Sequence, residues 1–224
     1  MPLQRSEVVD MALKLLDDIG LDALSTRRLA GELDVRPGAL YWHVASKQDL
    51  LDALTEKILD GLPELPSAPG TSWRDEARGL AAGLRDALLA HRDGARLLAG
   101  AVSPGPNRLA IADRMMGALS RTGAPLDAAA YGNDTVMSYI TGFVLQEQSE
   151  SLDTSEVDES QREALFDAER YPYLAVWARS WTPDSRRLSF EAGLDILLEG
   201  LSVYLAREAE KAPHPRTGPG ASSK

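Results

Sequence analysis

The apolar residues of this 224-residue chain recur at helical spacing, and this periodicity limits the possible folds more than any other feature of the sequence. Near the N-terminus, apolar side chains stand at Val8, Ala12, Leu15, Leu16 and Ile19, which share one face of an α-helix, and Gly20 follows as the expected C-terminal stop. Runs of alternating β-branched residues joined by tight turns, which would indicate β-hairpins, do not occur. The sequence therefore predicts an all-α fold.

A stretch rich in proline divides the chain into two parts. Three prolines and a glycine fall between residues 62 and 70, a composition typical of a domain boundary or a stiff linker. We therefore predict an N-terminal domain over residues 1–62, a linker over 63–71, a larger C-terminal helical domain over 72–211 and a disordered tail over 212–224. In the second domain the predicted helices cover residues 73–91, 94–101, 107–122, 126–150, 161–180 and 184–210, and the acidic segment 151–160 is predicted to be a mobile loop.

The residues that most enzymes and metal sites require are scarce or scattered. The chain has no cysteine, which excludes disulfides, thiolate zinc sites and cysteine nucleophiles. Its three histidines, His43, His91 and His214, are isolated, and neither a glycine-rich phosphate loop nor a Gly-x-Ser-x-Gly motif is present. We therefore expect no enzymatic activity, no cofactor and no bound metal.

Hydropathy and charge indicate where such a protein works. No apolar run approaches the roughly 18–20 residues of a membrane span, and no apolar segment of a secretory signal follows the first six residues. We therefore expect a cytoplasmic protein without a membrane partner. The formal net charge of −10 argues against broad affinity for nucleic acids, but such an average can hide a local basic patch.

A local basic patch coincides with two short predicted helices. Ser25 is a good N-cap for the first, Pro37 suits the first turn of the second, and Asp34-Val35-Arg36 joins them, which is helix-turn-helix spacing. A further helix is predicted to begin at Ser46, where Ser-Lys-Gln-Asp resembles a capping box. Between Ser25 and Lys47 the chain has four basic and two acidic residues, a local charge of +2. The basic residues taken singly fit an ordinary solvated surface. Taken with the spacing, they indicate a helix that enters the DNA major groove.

Three segments of this region resemble the DNA-binding domain of TetR-family repressors. They are Leu-Ser-Thr-Arg-Arg-Leu-Ala at residues 24–30, the segment 35–44 that ends in Leu-Tyr-Trp-His-Val, and Lys-Gln-Asp-Leu-Leu at residues 47–51. The second of these is most similar to the tetracycline-repressor subgroup, which the segments 72–75, 88–95 and 142–148 also resemble. The resemblance implies a homodimer whose two recognition helices bind a near-palindromic, double-stranded operator.

The resemblance also assigns residues to the DNA. They are Thr26, Arg27, Arg28, Arg36, Pro37, Gly38, Ala39, Tyr41, His43 and Lys47. It implies that Arg27 reaches a guanine, while Thr26, Tyr41, His43 and Lys47 contact phosphates. The three residues that open the recognition helix offer no side-chain hydrogen bond, so they contribute apolar contact alone, and hydrogen-bonded readout falls to Arg27, Arg28 or Arg36.

We make separate predictions for two further residues near the recognition helix, Trp42 and Asp34. We assign Trp42 to core packing rather than to DNA, because its neighbours Tyr41 and His43 point elsewhere on the helix. Asp34 stands where the family most often has a glycine in the turn. Because aspartate tolerates the left-handed backbone conformation better than most residues, we expect the turn to form.

The resemblance places a small-molecule pocket and the dimer interface in the C-terminal domain. The candidate pocket residues are Leu80, Leu84, Leu98, Met116, Asn133, Met137, Phe143, Gln146 and Trp177, although most of them, taken singly, are more simply core residues. The apolar stripe of the last helix suits either packing within the chain or a four-helix bundle between two subunits. The resemblance favours the bundle, with an interface of Phe143, Leu194, Leu197, Leu201 and Tyr204.

The sequence argues against tetracycline with magnesium as the effector. The tetracycline-repressor subgroup holds the metal through a histidine and an acidic contact, and the matching positions here are Leu98 and Gln146. Leucine cannot ligate a hard cation, and a neutral amide is a poor substitute for a carboxylate. We therefore predict a repressor that is released by another small hydrophobic inducer. An activator of the same fold, or a helical interaction module without specific DNA binding, stays open as an alternative.

Overall fold

The computed structural model describes residues 3–65, 68–153, 167–182 and 184–212, and over these residues it contains helices and no strand. The all-α prediction is therefore confirmed for this part of the chain. The helices of the described residues are α1 (Arg5–Ile19), α2 (Thr26–Glu32), α3 (Pro37–Leu40), α4 (Lys47–Ile58), α5 (Trp73–Leu89), α6 (Gly94–Gly100), α7 (Pro106–Ser120), α8 (Leu126–Asp153), α9 (Pro172–Ala178) and α10 (Ser185–Lys211).

Two of the predicted helices differ in extent from the observed ones, and two further segments lie outside the described residues. The helix predicted over residues 126–150 continues to Asp153, and α9 occupies only part of the helix predicted over 161–180. Residues 154–166 and 213–224 lie outside the described residues. They include most of the predicted mobile loop and nearly all of the predicted tail.

Helices α1 to α4 form one unit around the apolar face of α1. Val8, Ala12 and Leu16 on that face are fully buried, and so are Leu29 of α2 and Leu54 of α4. Helix α1 contacts both α2 and α4, and α2 contacts α3. Because helices as short as α2 and α3 are marginal in isolation, this burial is what stabilises them.

Side-chain caps fix where several helices begin. The hydroxyl oxygens of Ser25, Ser46 and Ser72 each accept a hydrogen bond from the backbone N–H three residues later, at 3.2, 3.0 and 3.1 Å. The caps predicted at Ser25 and Ser46 are thereby confirmed. Helix α1 ends at Gly20, as predicted, and the φ of +79° at this residue explains the glycine.

Helix α8 is the centre of the larger unit, where it packs against α5, α6, α7 and α10. An aromatic cluster joins it to α10, with ring centroids of Phe143 and Tyr139 lying 5.3 and 5.6 Å from that of Phe190. The buried stripe of α8 consists of Ala129, Val136, Ile140 and Val144. These contacts give the larger unit a continuous apolar core.

Leu62, the last residue of the predicted N-terminal domain, and Leu65 of the predicted linker pack against α5. Leu62 is buried, and a Cβ at Gly83 of α5 would lie 3.1 Å from the Leu62 side chain and 2.6 Å from that of Leu65. The absence of a side chain at Gly83 therefore makes room for this segment. The two units also meet directly, because α4 contacts α6 and α7. No helix in the described part of the chain is long and apolar enough to cross a membrane.

Candidate nucleic-acid interface

The turn between α2 and α3 has the backbone conformation expected from its sequence. Asp34 has a φ of +52°, so the predicted left-handed residue in the turn is confirmed. The N–H of Val35 donates to the carbonyl oxygen of Ala30 at 3.0 Å, which closes the end of α2. The chain therefore reverses within three residues and directs the first turn of α3 away from the core.

Helix α3 presents its N-terminal end to solvent. Pro37 and Gly38 are exposed, and Ala39 is half-buried. Leu40 and Val44 are buried, at 0% and 1% exposure, and hold the segment against the core. The end of α3 that would enter a major groove is thus free, and it carries the side chains too small to hinder close approach to base edges.

The cations of this region are solvent-exposed. Arg27, Arg28, Arg36 and Lys47 are all exposed. Within the described chain, the three arginines make no ion pair and no side-chain hydrogen bond, whereas Arg85 and Arg96 of the other unit bind carboxylates at 2.6 and 2.8 Å. Unpaired guanidinium groups are available to phosphates and guanines.

The remaining predicted DNA residues flank the same helix. Tyr41 is 56% exposed, and Thr26 and His43 are half-buried. Hydroxyl and imidazole groups of this kind can donate hydrogen bonds to phosphate oxygens. All ten predicted positions therefore lie on α2, α3 or the first residue of α4 and the turns between them, and none is fully buried.

The prediction for Trp42 is wrong. Its side chain is 89% exposed, so it does not pack in the core. The reason is the length of α3, which ends at Leu40, so that Tyr41, Trp42 and His43 form a turn in which only Leu40 and Val44 face inward. The exposed indole therefore joins Tyr41 on the surface beside the recognition helix, where its N–H and ring face are free to contact a ligand.

An ion pair that the sequence did not reveal holds this turn in place. The guanidinium of Arg5 on α1 donates to both carboxylate oxygens of Asp49, at 2.9 and 3.2 Å, and to the carbonyl oxygen of His43 at 2.5 Å. Asp49 also accepts from the N–H of Ala45 at 2.8 Å. The position of Asp49 three residues after Ser46 hinted at a cap, but no local pattern pointed to Arg5, which lies 44 residues away.

We expect Asp49→Ala to lower the free energy of unfolding by about 1–2 kcal/mol at pH 7, because the hydrogen bond from the Ala45 N–H and the ion pair with Arg5 are lost together. The hydrogen bond from the Arg5 guanidinium holds the pKa of the Asp49 carboxyl below its ordinary value of 3.8. A depressed pKa stabilises the fold at pH values above the ordinary pKa. This stabilisation is lost as the pH falls through the depressed pKa. Urea unfolding at several pH values should therefore show the two proteins converging in acid.

The matched control for this substitution is Asp60→Ala, which removes an exposed carboxylate that makes no side-chain hydrogen bond in the described part of the chain. We expect the control to change the stability by less than about 0.5 kcal/mol. An equal loss in both variants, or a difference from wild type that persists unchanged in acid, would contradict the role assigned to Asp49.

The predicted pocket residues are spread between the core and the surface of the larger unit. Leu80, Leu84 and Leu98 are buried at 3%, 1% and 4% exposure, and Asn133 is buried at 8%. The partly buried members are Met116, Met137 and Phe143, and the exposed ones are Gln146 and Trp177. The buried and partly buried members come from α5, α6, α7 and α8, which pack against one another. Their role in a pocket stays a prediction.

A cleft of about 440 Å³ lies between α5 and α10, apart from the predicted pocket. Its charged walls include Arg78, Arg187 and Asp195, and Phe190 forms part of its apolar lining. Arg78 donates to Asp195 at 2.8 Å, and Arg187 donates to Glu191 at 2.8 Å. These cations are thus already neutralised, so the cleft offers little for an anionic ligand to bind.

The predicted interface residues mostly face the inside of one protomer. Leu194 and Leu201 are buried at 3% and 8% exposure, and Phe143, Leu197 and Tyr204 are partly buried. The apolar residues that α10 exposes are Leu188, Ile196 and Val203. Helix α10 therefore exposes a set of apolar residues beside the predicted ones, and the predicted interface stays a prediction.

Glu147 is next in sequence to Gln146, the position that matches the acidic metal contact of the tetracycline-repressor subgroup, and its carboxylate already binds Arg85. Glu147 accepts two hydrogen bonds from Arg85, at 2.6 and 3.2 Å, and both side chains are largely buried. Gln146 is exposed, and Leu98 is buried among apolar residues. Among the described residues, no group of three histidine or acidic side chains is placed to hold a metal ion.

Comparison with known proteins relates both helical units to one family. The family model "Bacterial regulatory proteins, tetR family" matches residues 8–54, and the model "Tetracyclin repressor-like, C-terminal domain" matches residues 65–205. The tetracycline repressor protein class C of Escherichia coli is 36% identical over 203 residues, which cover 89% of this chain and 90% of that protein.

Solved structures give the same result. The crystal structure of a possible TetR family transcriptional regulator from Streptomyces coelicolor A3(2) superposes with a TM-score of 0.82 at 39% identity, covering 90% of this chain and 100% of that one. The TetR family protein ActR of Streptomyces coelicolor, in complex with (S)-DNPA, gives a TM-score of 0.75 at 33% identity, covering 91% and 99% of the two chains. The match extends over both units and agrees with the resemblance seen in the sequence. This protein therefore belongs to the TetR family of ligand-responsive, DNA-binding transcriptional regulators, with a C-terminal domain of the tetracycline-repressor type.

Proposed function

We propose that this regulator is a homodimeric repressor that binds a palindromic operator and leaves it when a small hydrophobic effector binds the C-terminal domain. The chain is a regulator and not an enzyme, as the sequence predicted. The observation that carries the proposal is the group of unpaired, exposed cations, Arg27, Arg28 and Arg36, around the free end of α3. Such a surface is complementary to a phosphate backbone and to guanine edges.

The contacts of α4 with the larger unit supply a route from effector to DNA. Asp52 accepts from the backbone N–H groups of Val102 and Ser103, at 3.0 and 3.2 Å. Glu56, one turn further, accepts from the N–H of Asn107 at 2.7 Å. A shift of the segment between α6 and α7 would therefore move α4 and, with it, the recognition helix. Coupling of this kind is usually worth about 1–3 kcal/mol.

A second set of contacts joins the turn before α6 to α1. Asp17 accepts from the backbone N–H of Arg92 at 3.0 Å and contacts the ring nitrogen of His91 at 3.0 Å. Arg96 binds both Asp22, at 2.8 Å, and Asp93, at 3.0 Å. Because α6 is held against both α1 and α4, a small displacement of this helix would reorient the DNA-binding unit as a body rather than bend it.

The proposed dimer uses the exposed apolar residues of α9 and α10. Leu188, Ile196 and Val203 expose apolar side chains along α10, with Ile196 and Val203 one heptad apart. Tyr173 and Val176 of α9 are 89% and 70% exposed. Apolar residues repeated at this spacing suit a helical bundle between two subunits. A dimer would present two recognition helices about 34–36 Å apart, one turn of DNA.

The effector is proposed to be apolar and to bind without magnesium. The tetracycline repressor of class C and ActR bound to (S)-DNPA are similar to this chain, but their effectors do not transfer by similarity alone. Leu98 supplies no metal ligand, and the carboxylate of Glu147 is neutralised by Arg85. The buried residues Leu80 and Leu84 favour an apolar ligand.

We expect tetracycline with millimolar Mg²⁺ not to release this protein from its operator. Magnesium needs oxygen ligands in near-octahedral geometry, and the positions that would supply them hold leucine and a neutral amide. The measurement is fluorescence anisotropy of labelled operator DNA during a tetracycline titration, with and without Mg²⁺. The class C tetracycline repressor on its own operator is the positive control. Release that depends on Mg²⁺ would contradict the prediction.

The experiment that tests the proposed function is capture of fragmented genomic DNA by the purified protein, followed by sequencing, at two salt concentrations. A few enriched sites that share a palindrome would support specific operator binding, and the adjacent genes would indicate the candidate effectors. Enrichment that vanishes steeply with salt would agree with phosphate contacts. No enrichment at either concentration would favour the interaction module instead. Loss of expression of the adjacent genes after deletion of the gene for this regulator would favour an activator.

A further inference from the structure

Asn133 places an unpaired hydrogen-bond acceptor in the core of the larger unit. Its side chain is 8% exposed, and its Oδ1 is buried without a donor in the described part of the chain. Most buried polar atoms in proteins have a partner, because an unpaired one retains the full cost of losing water. An acceptor of this kind in the sensing domain of a regulator calls for a physical explanation.

The orientation of the Asn133 amide follows from its neighbour. Its Nδ2 donates to the carboxylate of Asp134 at 3.3 Å, and a carboxylate accepts but does not donate. Rotating the amide by half a turn would bring two acceptor oxygens together. The nitrogen therefore faces Asp134, and the buried atom is the carbonyl oxygen.

The residues that share a helix face with Asn133 are apolar. Ala129, Val136 and Ile140 lie four residues before and three and seven residues after Asn133, so they share its face of α8, and all three are fully buried. At Gly132, one residue earlier, a Cβ would lie 2.9 Å from Leu119 of α7. Helix α8 therefore packs closely against α7 beside this turn.

From these observations we infer that Asn133 is a specificity-determining residue of the effector pocket, which accepts a hydrogen bond from a hydroxyl or N–H group of an otherwise apolar ligand. The inference rests on the proposed function, in which the C-terminal domain binds the effector. Met137, one turn further along the same face, is partly buried, and its flexible side chain can change rotamer to admit an aromatic ring. A ligand that donates this bond satisfies the buried oxygen, whereas an isostere without a donor leaves it unpaired.

The test compares two probes of nearly equal shape, 2-naphthol and 2-methylnaphthalene, on the full-length protein and on Asn133→Leu. Leucine has the same number and branching of side-chain heavy atoms as asparagine and cannot accept a hydrogen bond. We expect the wild-type protein to bind 2-naphthol at least about tenfold more tightly than 2-methylnaphthalene. In Asn133→Leu we expect the ratio to fall to about two or less, through loss of affinity for 2-naphthol alone.

A second readout separates this role from a structural one. Because the unpaired oxygen destabilises the ligand-free protein, Asn133→Leu should raise its Tm by about 2–6 °C while it lowers the affinity for 2-naphthol. A structural asparagine would instead lower the Tm. Thr135→Ala is the control, since Thr135 is exposed on the same helix and its hydroxyl bonds only to the carbonyl oxygen of Tyr131. We expect the control to leave the probe ratio unchanged.

The outcomes distinguish this inference from the proposed function. An equal probe ratio in wild type and Asn133→Leu, a lower Tm in the variant, or no binding of 2-naphthol to the wild-type protein would each overturn the role of Asn133. Operator binding measured on the same preparations decides the proposed function separately. A variant that binds operator DNA normally but has lost the preference for 2-naphthol supports both.

Discussion

Gly94→Ala is expected to lower the free energy of unfolding by about 2–3 kcal/mol, although it adds only one methyl group. A Cβ at this position would lie 2.3 Å from the carbonyl oxygen of Leu88 and 3.1 Å from its carbonyl carbon. These are backbone atoms at the end of α5, so no side-chain rotation can relieve the clash. The turn between α5 and α6 must move instead.

The contacts of this turn explain why its movement is costly. Gln148 of α8 donates to the carbonyl oxygens of Leu88 and His91, at 2.9 and 2.8 Å, and accepts from the N–H of Ala95 at 3.1 Å. On the other side, Asp93 accepts from the N–H of Leu21 at 2.8 Å. Displacement of the turn would strain both sets of bonds, and a buried backbone group left without its partner adds about 1–3 kcal/mol.

The chain supplies two matched controls for Gly94→Ala. Gly100 ends the same helix and Gly117 lies within α7, and a Cβ at either position would meet nothing within 4 Å. Because alanine favours the helix over glycine, we expect both substitutions to be neutral or to stabilise the protein by up to about 1 kcal/mol. Urea unfolding at one pH compares the three variants. A loss of stability shared equally by all three would mean that the clash at Gly94 is not its cause.

The sequence predicted the helices well where local chemistry determines them. The face that runs from Val8 to Ile19 is one continuous apolar surface, and the caps at Ser25 and Ser46 depend only on residues within the same turn of helix. The left-handed residue at Asp34 was predictable from the resemblance, because the family most often has a glycine at this position and aspartate tolerates the same backbone conformation.

The failures arise where the answer depends on distant residues. Trp42 was misplaced because no local signal shows that α3 stops at Leu40, and one missing turn of helix is enough to expose the indole. The bond from Arg5 to Asp49 joins residues 44 apart in sequence, and those of Gln148 reach back 57 and 60 residues. Such pairs leave no periodic trace in a single sequence.

The apolar surface of α10 illustrates a further limit. Its buried positions include Leu194, Leu198 and Leu201, and its exposed apolar positions include Ile196 and Val203. Both sets have helical spacing, so periodicity alone cannot tell which face packs within the chain and which one remains for a partner. The same ambiguity applies to the effector pocket, because residues that line an apolar pocket and residues that fill a core have the same composition.

Replacement of Arg27 and of Lys47 should weaken operator binding in two different ways. Arg27→Ala is expected to cost about 1–3 kcal/mol for each half-site and to relax the preference at one base position, because the guanidinium is proposed to reach a guanine. Lys47→Ala should weaken binding to all operator variants alike and reduce the slope of log K against log salt by about one for each protomer, because an ammonium on a phosphate releases counterions without reading sequence.

Anisotropy titrations against the captured operator and its single-base variants, each at four salt concentrations, separate the two effects. Lys211→Ala is the matched control, since it removes the same charge from the far end of α10, where Lys211 pairs with Glu208 at 2.7 Å. Because the protein as a whole is acidic, a non-specific electrostatic effect would appear equally in all three variants. A uniform loss over all bases in Arg27→Ala would show that this arginine also binds phosphate, and hydrogen-bonded readout would then fall to Arg28 or Arg36.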